Sequence, residues 1–150
     1  PEVLFVVATK RHSRRFYRLD GKNLDPGSVM SEGVARNFAN EFYMQSAYPL
    51  QGTGKTTDYE VLVNSKKFSH EEIVNFSFAL CFSHQIVSSA TSQPTPVMVA
   101  HESAKRGYNN AKTYAQCYGL PMENGEIDLN RLNRELSYVT SSLGYIRFNA

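Results

Sequence analysis

Residues 3–18 of the chain read VLFVVATKRHSRRFYR, an apolar run that turns directly into a basic one. The apolar part, Val3–Ala8, is continuous rather than alternating, which is typical of a strand covered on both faces. Phosphates are met by ionic contacts that release counterions, so the density of cations after this strand indicates a polyanionic partner. A solvated strand end is the alternative interpretation. The cations are Lys10, Arg11, Arg14, Arg15 and Arg18, with His12 between them.

The composition bounds the class of protein. A chain of 150 residues with 41% hydrophobic residues is typical of one globular domain, or of a large piece of one. No window approaches the roughly 18 apolar residues of a membrane span, so no membrane partner is expected. Cys81 and Cys117 are too few for a disulfide framework and favour reduced thiols in a cytoplasmic or nuclear protein. Pro1 runs straight into the apolar segment without the features of a signal peptide, and we expect the sequence to begin inside a domain.

Turn-forming residues divide the first half of the chain into extended segments. The turns include Leu19–Lys22 and Asp25–Gly27. Four strands are predicted between them: Val3–Ala8, Arg15–Arg18, Glu41–Gln45 and Asp58–Val63.

The second half of the chain predicts three helices. A capping box starts the first, with Ser69 as the cap and Glu72 three residues later. A threonine cap and a proline at the first helical position start the second. Strands that lead into long helices predict the α/β class. The predicted spans are Ser69 to about Val87, Thr95 to about Tyr118, and Asp128 to Ser142.

The run Gly52-Thr53-Gly54-Lys55-Thr56-Thr57 superficially fits a phosphate-binding P-loop. That loop needs a first glycine where this chain has Pro49, and it needs a helix to follow. A predicted strand follows instead, so nucleotide hydrolysis is not expected here. A phosphate contact by Lys55 stays open.

The four histidines show no spacing that predicts a metal site, and no cysteine pair supplements them. They are His12, His70, His84 and His101. A lone helical histidine is more often packed or solvated than a ligand, so spacing alone gives His101 no metal.

The segments, taken in order, resemble the Piwi domain of the Argonaute family along essentially the whole chain. Each block is weak by itself, and the ordered set with its spacings is specific. The sequence around His84–Ser89 is similar to that of the nematode-expanded Argonautes. The matching blocks are Val6–Phe16, Pro26–Val29, Phe42–Ser46, Gln51–Lys55, Tyr59–Leu62, and Leu80 through Pro94-Thr95-Pro96 to His101.

The resemblance implies that residues 1–150 are the C-terminal half of an RNase H-like Piwi domain, with mixed sheet strands followed by long helices. It places Arg106 near the 5′-phosphate end of a guide RNA and the C-terminus, Ala150, towards the same region. The residues that it implies hold guide phosphates are Lys10, Arg11, Arg15, Lys55 and Ser92. The chain departs from the microRNA-type pattern of polar contacts at Ala47, Ile86, Ser89 and Met98.

The same resemblance implies a role for His101. Target cleavage in the family uses two magnesium ions, and His101 falls on the fourth position of the metal site. The three acidic positions belong to segments before Pro1, so this chain by itself is not expected to cut RNA.

Two functions from different classes follow. The first is binding of the guide small-RNA backbone within an RNA silencing effector, with the complementary target RNA as second partner and protein partners left open. The alternative is a catalytically inactive Piwi-like scaffold that binds protein and has lost guide handling. The apolar residues at Ala47, Ile86 and Met98 favour that alternative slightly.

Overall fold

The computed structural model describes residues 2–36, 40–138 and 142–145. The chain divides after Met98 into two units, each of which is described by itself. The elements in chain order are strands β1 (Leu4–Thr9), β2 (Ser28–Met30), β3 (Asn40–Gln45) and β4 (Thr57–Asn64), helices α1 (His70–Leu80) and α2 (Thr95–Tyr118), strands β5 (Met122–Glu123) and β6 (Glu126–Ile127), helix α3 (Leu129–Leu136), and a 3-10 turn at Ser142–Tyr145.

The first unit is built on an antiparallel four-stranded sheet in the order β1-β4-β3-β2. One face of the sheet carries the core, where the rings of Phe42 and Tyr59 stack with centroids 4.8 Å apart. Ile73 of α1 and Cys81 are fully buried against them. The apolar residues of β3 and β4 on this face therefore hold α1 against the sheet.

Strand β1 is covered on one face only among the described residues. Leu4, Val6 and Ala8 pack against the core, whereas Phe5 is 52% and Val7 37% exposed. Successive side chains of a strand point to opposite faces, and α1 covers only one of them. The prediction that both faces are covered is therefore wrong for this part of the chain.

Two local predictions in the first half are wrong. Arg15–Arg18 is not a strand, because Arg18 closes a turn in which its carbonyl accepts from the Gly21 amide at 2.9 Å. Only an isolated bridge between Tyr17 and Asn23 remains there. Strand β2 was not predicted; it pairs with β3 after the Gly27 amide donates to the Gln45 carbonyl at 2.7 Å.

Helix α1 begins as predicted and ends early. The Ser69 hydroxyl accepts from the Glu72 amide at 3.2 Å, and the Glu72 carboxylate accepts from the Ser69 amide at 2.7 Å. The capping box is therefore confirmed. The helix stops at Leu80 rather than near Val87 because the Thr91 amide and hydroxyl both donate to the Cys81 carbonyl, at 2.9 Å each. Those bonds hold a turned-back loop in place of two further helical turns.

The two later helices also differ from their predicted limits. Helix α2 includes Thr95 itself, and the Pro94 carbonyl accepts from the amides of Val97 and Met98. The Thr95 hydroxyl is buried without a hydrogen-bond partner among the described residues, so its predicted role as cap is wrong. Helix α3 has its Asp128 cap and ends at Leu136 instead of Ser142. Residue Val139 of the predicted span lies outside the described residues.

A short hairpin that was not predicted joins α2 to α3. Its strands β5 and β6 meet at Asn124 and Gly125, which both have positive φ, 51° and 85°. This backbone matches the two-residue hairpin turn that the Asn-Gly sequence favours. None of the helices that the structure describes is long and apolar enough to cross a membrane.

Candidate nucleic-acid interface

A basic pocket opens at one end of the first unit's sheet, with a volume of about 670 Å³. Two segments separated by some forty residues of sequence line it, and no carboxylate is among its described lining residues. The pocket is therefore a concave surface of one charge sign, as phosphate binding requires. Its lining residues are Lys10, Arg11, His12, Ser13, Arg15 and Lys55.

Strand pairing brings the two segments together. Strands β1 and β4 are antiparallel neighbours, and Thr9 at the end of β1 pairs with Asp58 near the start of β4. The residues that follow β1 and those that precede β4 must therefore leave the sheet at the same end. This register places Lys10 and Lys55 beside one another.

Ser92 joins the same end of the sheet through two hydrogen bonds. The Lys10 ammonium donates to the Ser92 hydroxyl at 2.7 Å, and the Thr57 hydroxyl donates to the Ser92 carbonyl at 2.7 Å. Thr57 is fully buried, so this second contact fixes the Ser92 backbone against β4. The loop between α1 and α2 thus supplies a third segment to the region.

The backbone that leads into Lys55 is fixed by the side chain of Asn23. The Gly54 amide donates to Asn23 Oδ1 at 2.8 Å, and the Asn23 side chain donates to the Gly52 carbonyl at 2.9 Å. A Cβ at Gly54 would lie 3.0 Å from Gln45 Oε1, so a larger residue here would require the Gln45 side chain to shift. Gly54 and Thr56 are buried and Lys55 is exposed, so its side chain extends outward.

The cations of the basic run, together with Lys55, divide into those that line the pocket and those engaged elsewhere in the fold. Within the described part of the chain, Arg11 and Lys55 have no hydrogen bond or ion pair. Arg15 lines the pocket as well, and its Nη1 donates to the His12 and Arg14 carbonyls at 2.8 and 2.7 Å. Arg14 instead donates to the Tyr43 hydroxyl at 2.8 Å and to the Val34 carbonyl. Arg18 forms ion pairs with Asp20 at 3.6 Å and Asp25 at 2.9 Å. Arg14 and Arg18 are thus engaged within the fold.

A buried acidic residue on the sheet face opposite the core is linked to the basic pocket through Tyr43, whose ring contacts His12. Glu41 accepts from the Tyr43 hydroxyl at 2.6 Å, and from the amide and Nε of Arg36 at 2.9 and 3.0 Å. Burial by itself would raise the pKa of Glu41, but these hydrogen bonds outweigh burial and lower the pKa to about 2. Glu41 is therefore charged at neutral pH, and burial together with this carboxylate raises the pKa of Tyr43.

Asp58 is the second acidic residue on that face. Its Oδ1 is buried and has no hydrogen-bond partner among the described residues. Burial first, and then the nearby Glu41 carboxylate, raise the pKa of Asp58. The pKa of Glu41 is thus lowered and that of Asp58 is raised, because Glu41 accepts hydrogen bonds from Tyr43 and Arg36 whereas Asp58 Oδ1 has no partner among the described residues.

The remaining predicted site residues belong to the second unit. His101 and Arg106 are exposed residues of α2, and their roles stay predictions. No group of three His, Cys, Asp or Glu side chains in the described ranges is arranged to hold a metal ion. The residues present therefore do not fit a magnesium site by themselves. Ala150, predicted to approach the 5′-phosphate end, lies outside the described residues.

The sequence interpretation did not include two residues that shape the pocket. His12 and Ser13 lie among the cations of the basic run and line the pocket with them. His12 is noted among the cations of the basic run and is weighed as a metal ligand, but it is not among the predicted RNA-binding residues. What the sequence does not show is that His12 reaches the Thr56 carbonyl, 44 residues away.

Comparison with known proteins defines the family. The Piwi domain matches residues 1–112. Argonaute protein wago-1 of Caenorhabditis elegans is 35% identical over 99% of the chain, and protein argonaute-2 of Drosophila melanogaster is 29% identical over 71% of it. The chain spans 17% and 9% of these two relatives.

Solved structures agree with this match. Drosophila Piwi superimposes with a TM-score of 0.66 at 28% identity, over 70% of this chain and 15% of that one. The C-terminal lobe of a budding yeast Argonaute gives 0.72 at 22% identity, over 77% and 26%. The Kluyveromyces polysporus Argonaute, solved with a guide RNA, gives 0.68 at 21% identity, over 77% and 15%.

The fold is that of an Argonaute C-terminal lobe, an α/β arrangement of sheet strands followed by helices. The chain belongs to the Piwi domain family. The predicted family and the predicted RNase H-like α/β class are therefore confirmed, and the wago-1 relative agrees with the predicted nematode type.

Proposed function

We propose that this chain holds the sugar-phosphate backbone of a guide RNA, as part of a Piwi domain in an RNA silencing effector. The basic pocket carries the proposal, because it gathers Lys10, Arg11, Arg15 and Lys55 around a space without a carboxylate among its described lining residues. Phosphate contacts fix the register of a nucleic acid without reading its sequence. The Argonaute relatives and the structure solved with a guide RNA support this assignment.

The pocket residues would act in different ways. Arg11 and Lys55, without ion-pair partners in the described ranges, supply charge directly to phosphate oxygens. Lys10 is held by the Ser92 hydroxyl, so the two together form an oriented pair of donors once a phosphate approaches. Base pairing between guide and target RNA would supply sequence specificity, in the cytoplasm or the nucleus.

A metal role for His101 is part of this proposal only within the full-length protein. The described residues hold no set of carboxylates near it that could bind magnesium. Any metal site would therefore need acidic residues from other segments, and Arg106, on the same helix, would contact the 5′-phosphate end.

The salt dependence of guide binding tests the proposal. Replacing Lys10, Arg11 and Arg15 by alanine in the full-length protein should reduce the slope of log affinity against log salt by about 2, at about 0.7 for each phosphate contact. Binding should weaken equally for guides of unrelated sequence. A charge-matched control replaces Arg18, Lys22 and Lys66, which lie outside the pocket. A pocket variant with unchanged affinity and slope would remove the basic pocket from RNA binding.

Co-purified RNA tests the rival scaffold function. A guide-binding protein should carry small RNAs of uniform length, whereas a scaffold should carry none. Loss of those RNAs in the pocket variant, but not in the control variant, would assign them to this surface.

A further inference from the structure

We infer that His12 is the positioning residue of the basic pocket, and that its imidazole fixes the backbone from which Lys55 reaches a phosphate. This inference rests on the proposed function and adds a residue that the family comparison does not provide. His12 Nε2 lies 2.9 Å from the Thr56 carbonyl oxygen, across 44 residues of sequence. Thr56 directly follows Lys55. The bond therefore joins the two segments that carry the pocket's cations.

The partner atom fixes the role of His12 Nε2. A carbonyl oxygen can only accept, so Nε2 carries a proton and acts as the donor. Nδ1 is buried and has no hydrogen-bond partner in the part of the chain that the structure describes. The Nε2 donor is thus the polar contact that holds the ring in place.

Aromatic packing sets the plane of the imidazole. The ring meets Tyr43 edge to face, with centroids 5.3 Å apart, and Phe16 packs on Tyr43 at 5.2 Å. Tyr43 is held in turn by Glu41 and Arg14 through its hydroxyl. The Nε2 donor of His12 is therefore oriented by Tyr43, whose side chain is buried and hydrogen-bonded to both Glu41 and Arg14.

The two fixed peptides bracket Lys55. The amide of Gly54 is bound by Asn23, and the carbonyl of Thr56 is bound by His12. Without the His12 bond, the Thr56 carbonyl loses this partner and the turn that carries Lys55 is held less tightly, so ordering Lys55 at the moment of binding costs more conformational entropy. The expected consequence is a loss that is specific to the Lys55 contact.

Two substitutions of His12 separate the donor from the ring. His12→Phe keeps an aromatic edge against Tyr43 and loses the donor, whereas His12→Gln keeps an amide N–H near the place of Nε2. In the full-length protein, His12→Phe should weaken binding of a single-stranded guide RNA about tenfold, the effect of one charge-assisted contact. The salt slope should fall by about 0.7, and His12→Gln should recover most of both.

A double-mutant cycle with Lys55→Ala provides the decisive measurement. Lys55→Ala should cost as much as His12→Phe, and the two together should cost no more than either one. Losses that add, or a His12→Phe variant with wild-type affinity and slope, would overturn the positioning role. A fall well beyond one contact in both His12 variants would indicate loss of fold and would also overturn it. If Lys55→Ala itself changes nothing, the proposed phosphate contact fails instead.

Discussion

Replacing Glu41 by glutamine tests the buried charge cluster that supports the pocket. Lowering the pKa from 4.5 to about 2 corresponds to roughly 3 kcal/mol of folding free energy at neutral pH. Two effects reduce this figure. The Arg36 side chain is 40% exposed, so solvent screens its contact, and the nearby Asp58 is relieved when Glu41 is neutral. We expect a loss of about 1.5 kcal/mol in the free energy of unfolding, measured by urea denaturation at neutral pH.

The pH dependence has a definite sign. The pKa of Glu41 is lower in the folded than in the unfolded chain, so its contribution is complete above pH 4.5 and disappears as the pH falls to about 2. Glu41→Gln should therefore converge on the wild type in stability over that interval.

Glu60→Gln is the matched control for this prediction. Glu60 pairs with the same Arg36 at 2.9 Å, but its side chain is 35% exposed, and we expect a loss under about 1 kcal/mol. Equal losses in the two variants, or a stability difference between wild type and Glu41→Gln that persists at the acid end, would refute the assignment of this energy to Glu41.

Two further predictions concern α1 and α2. Ser69→Ala should lower the free energy of unfolding by about 1 kcal/mol, because the amide of Glu72 loses its acceptor. Denaturation of this variant beside Ser88→Ala, an exposed loop substitution, checks the value, and equal stability of the two would contradict the capping role. In a full-length protein that cleaves RNA with magnesium, His101→Ala should abolish that cleavage and leave guide affinity unchanged. Cleavage at the wild-type rate, or a wild type that does not cleave, would remove His101 from catalysis.

The sequence predicted the elements whose signals are local. The apolar runs of β1, β3 and β4 and the capping box of α1 depend on neighbours within a few residues, and the structure places all of them within two residues of the prediction. The errors arise where a distant group decides. Apolar periodicity continues past Leu80, but Thr91 binds the Cys81 carbonyl and ends α1. No pattern inside the helix could have shown that contact.

The limit of β1 coverage has a related cause. A continuous apolar run predicts burial on both faces, and in the described residues only one face has a partner. The apolar pattern of a strand shows which of its faces can be buried, whereas actual burial depends on which other elements pack against those faces.

The site shows the same division between residue type and placement. Sequence alone locates a basic run, but Arg14 and Arg15 are adjacent and chemically identical. Arg14 contacts the hydroxyl of Tyr43, 29 residues away, whereas Arg15 lines the pocket. What separates them is their contacts within the fold, and the register in which Thr9 pairs with Asp58 brings the loop after β1 to the same end of the sheet as Lys55. The proposed binding surface therefore depends on the pairing of β1 with β4 as much as on the cations, and a shift of that register would separate Lys10 from Lys55 without changing the charge of the chain.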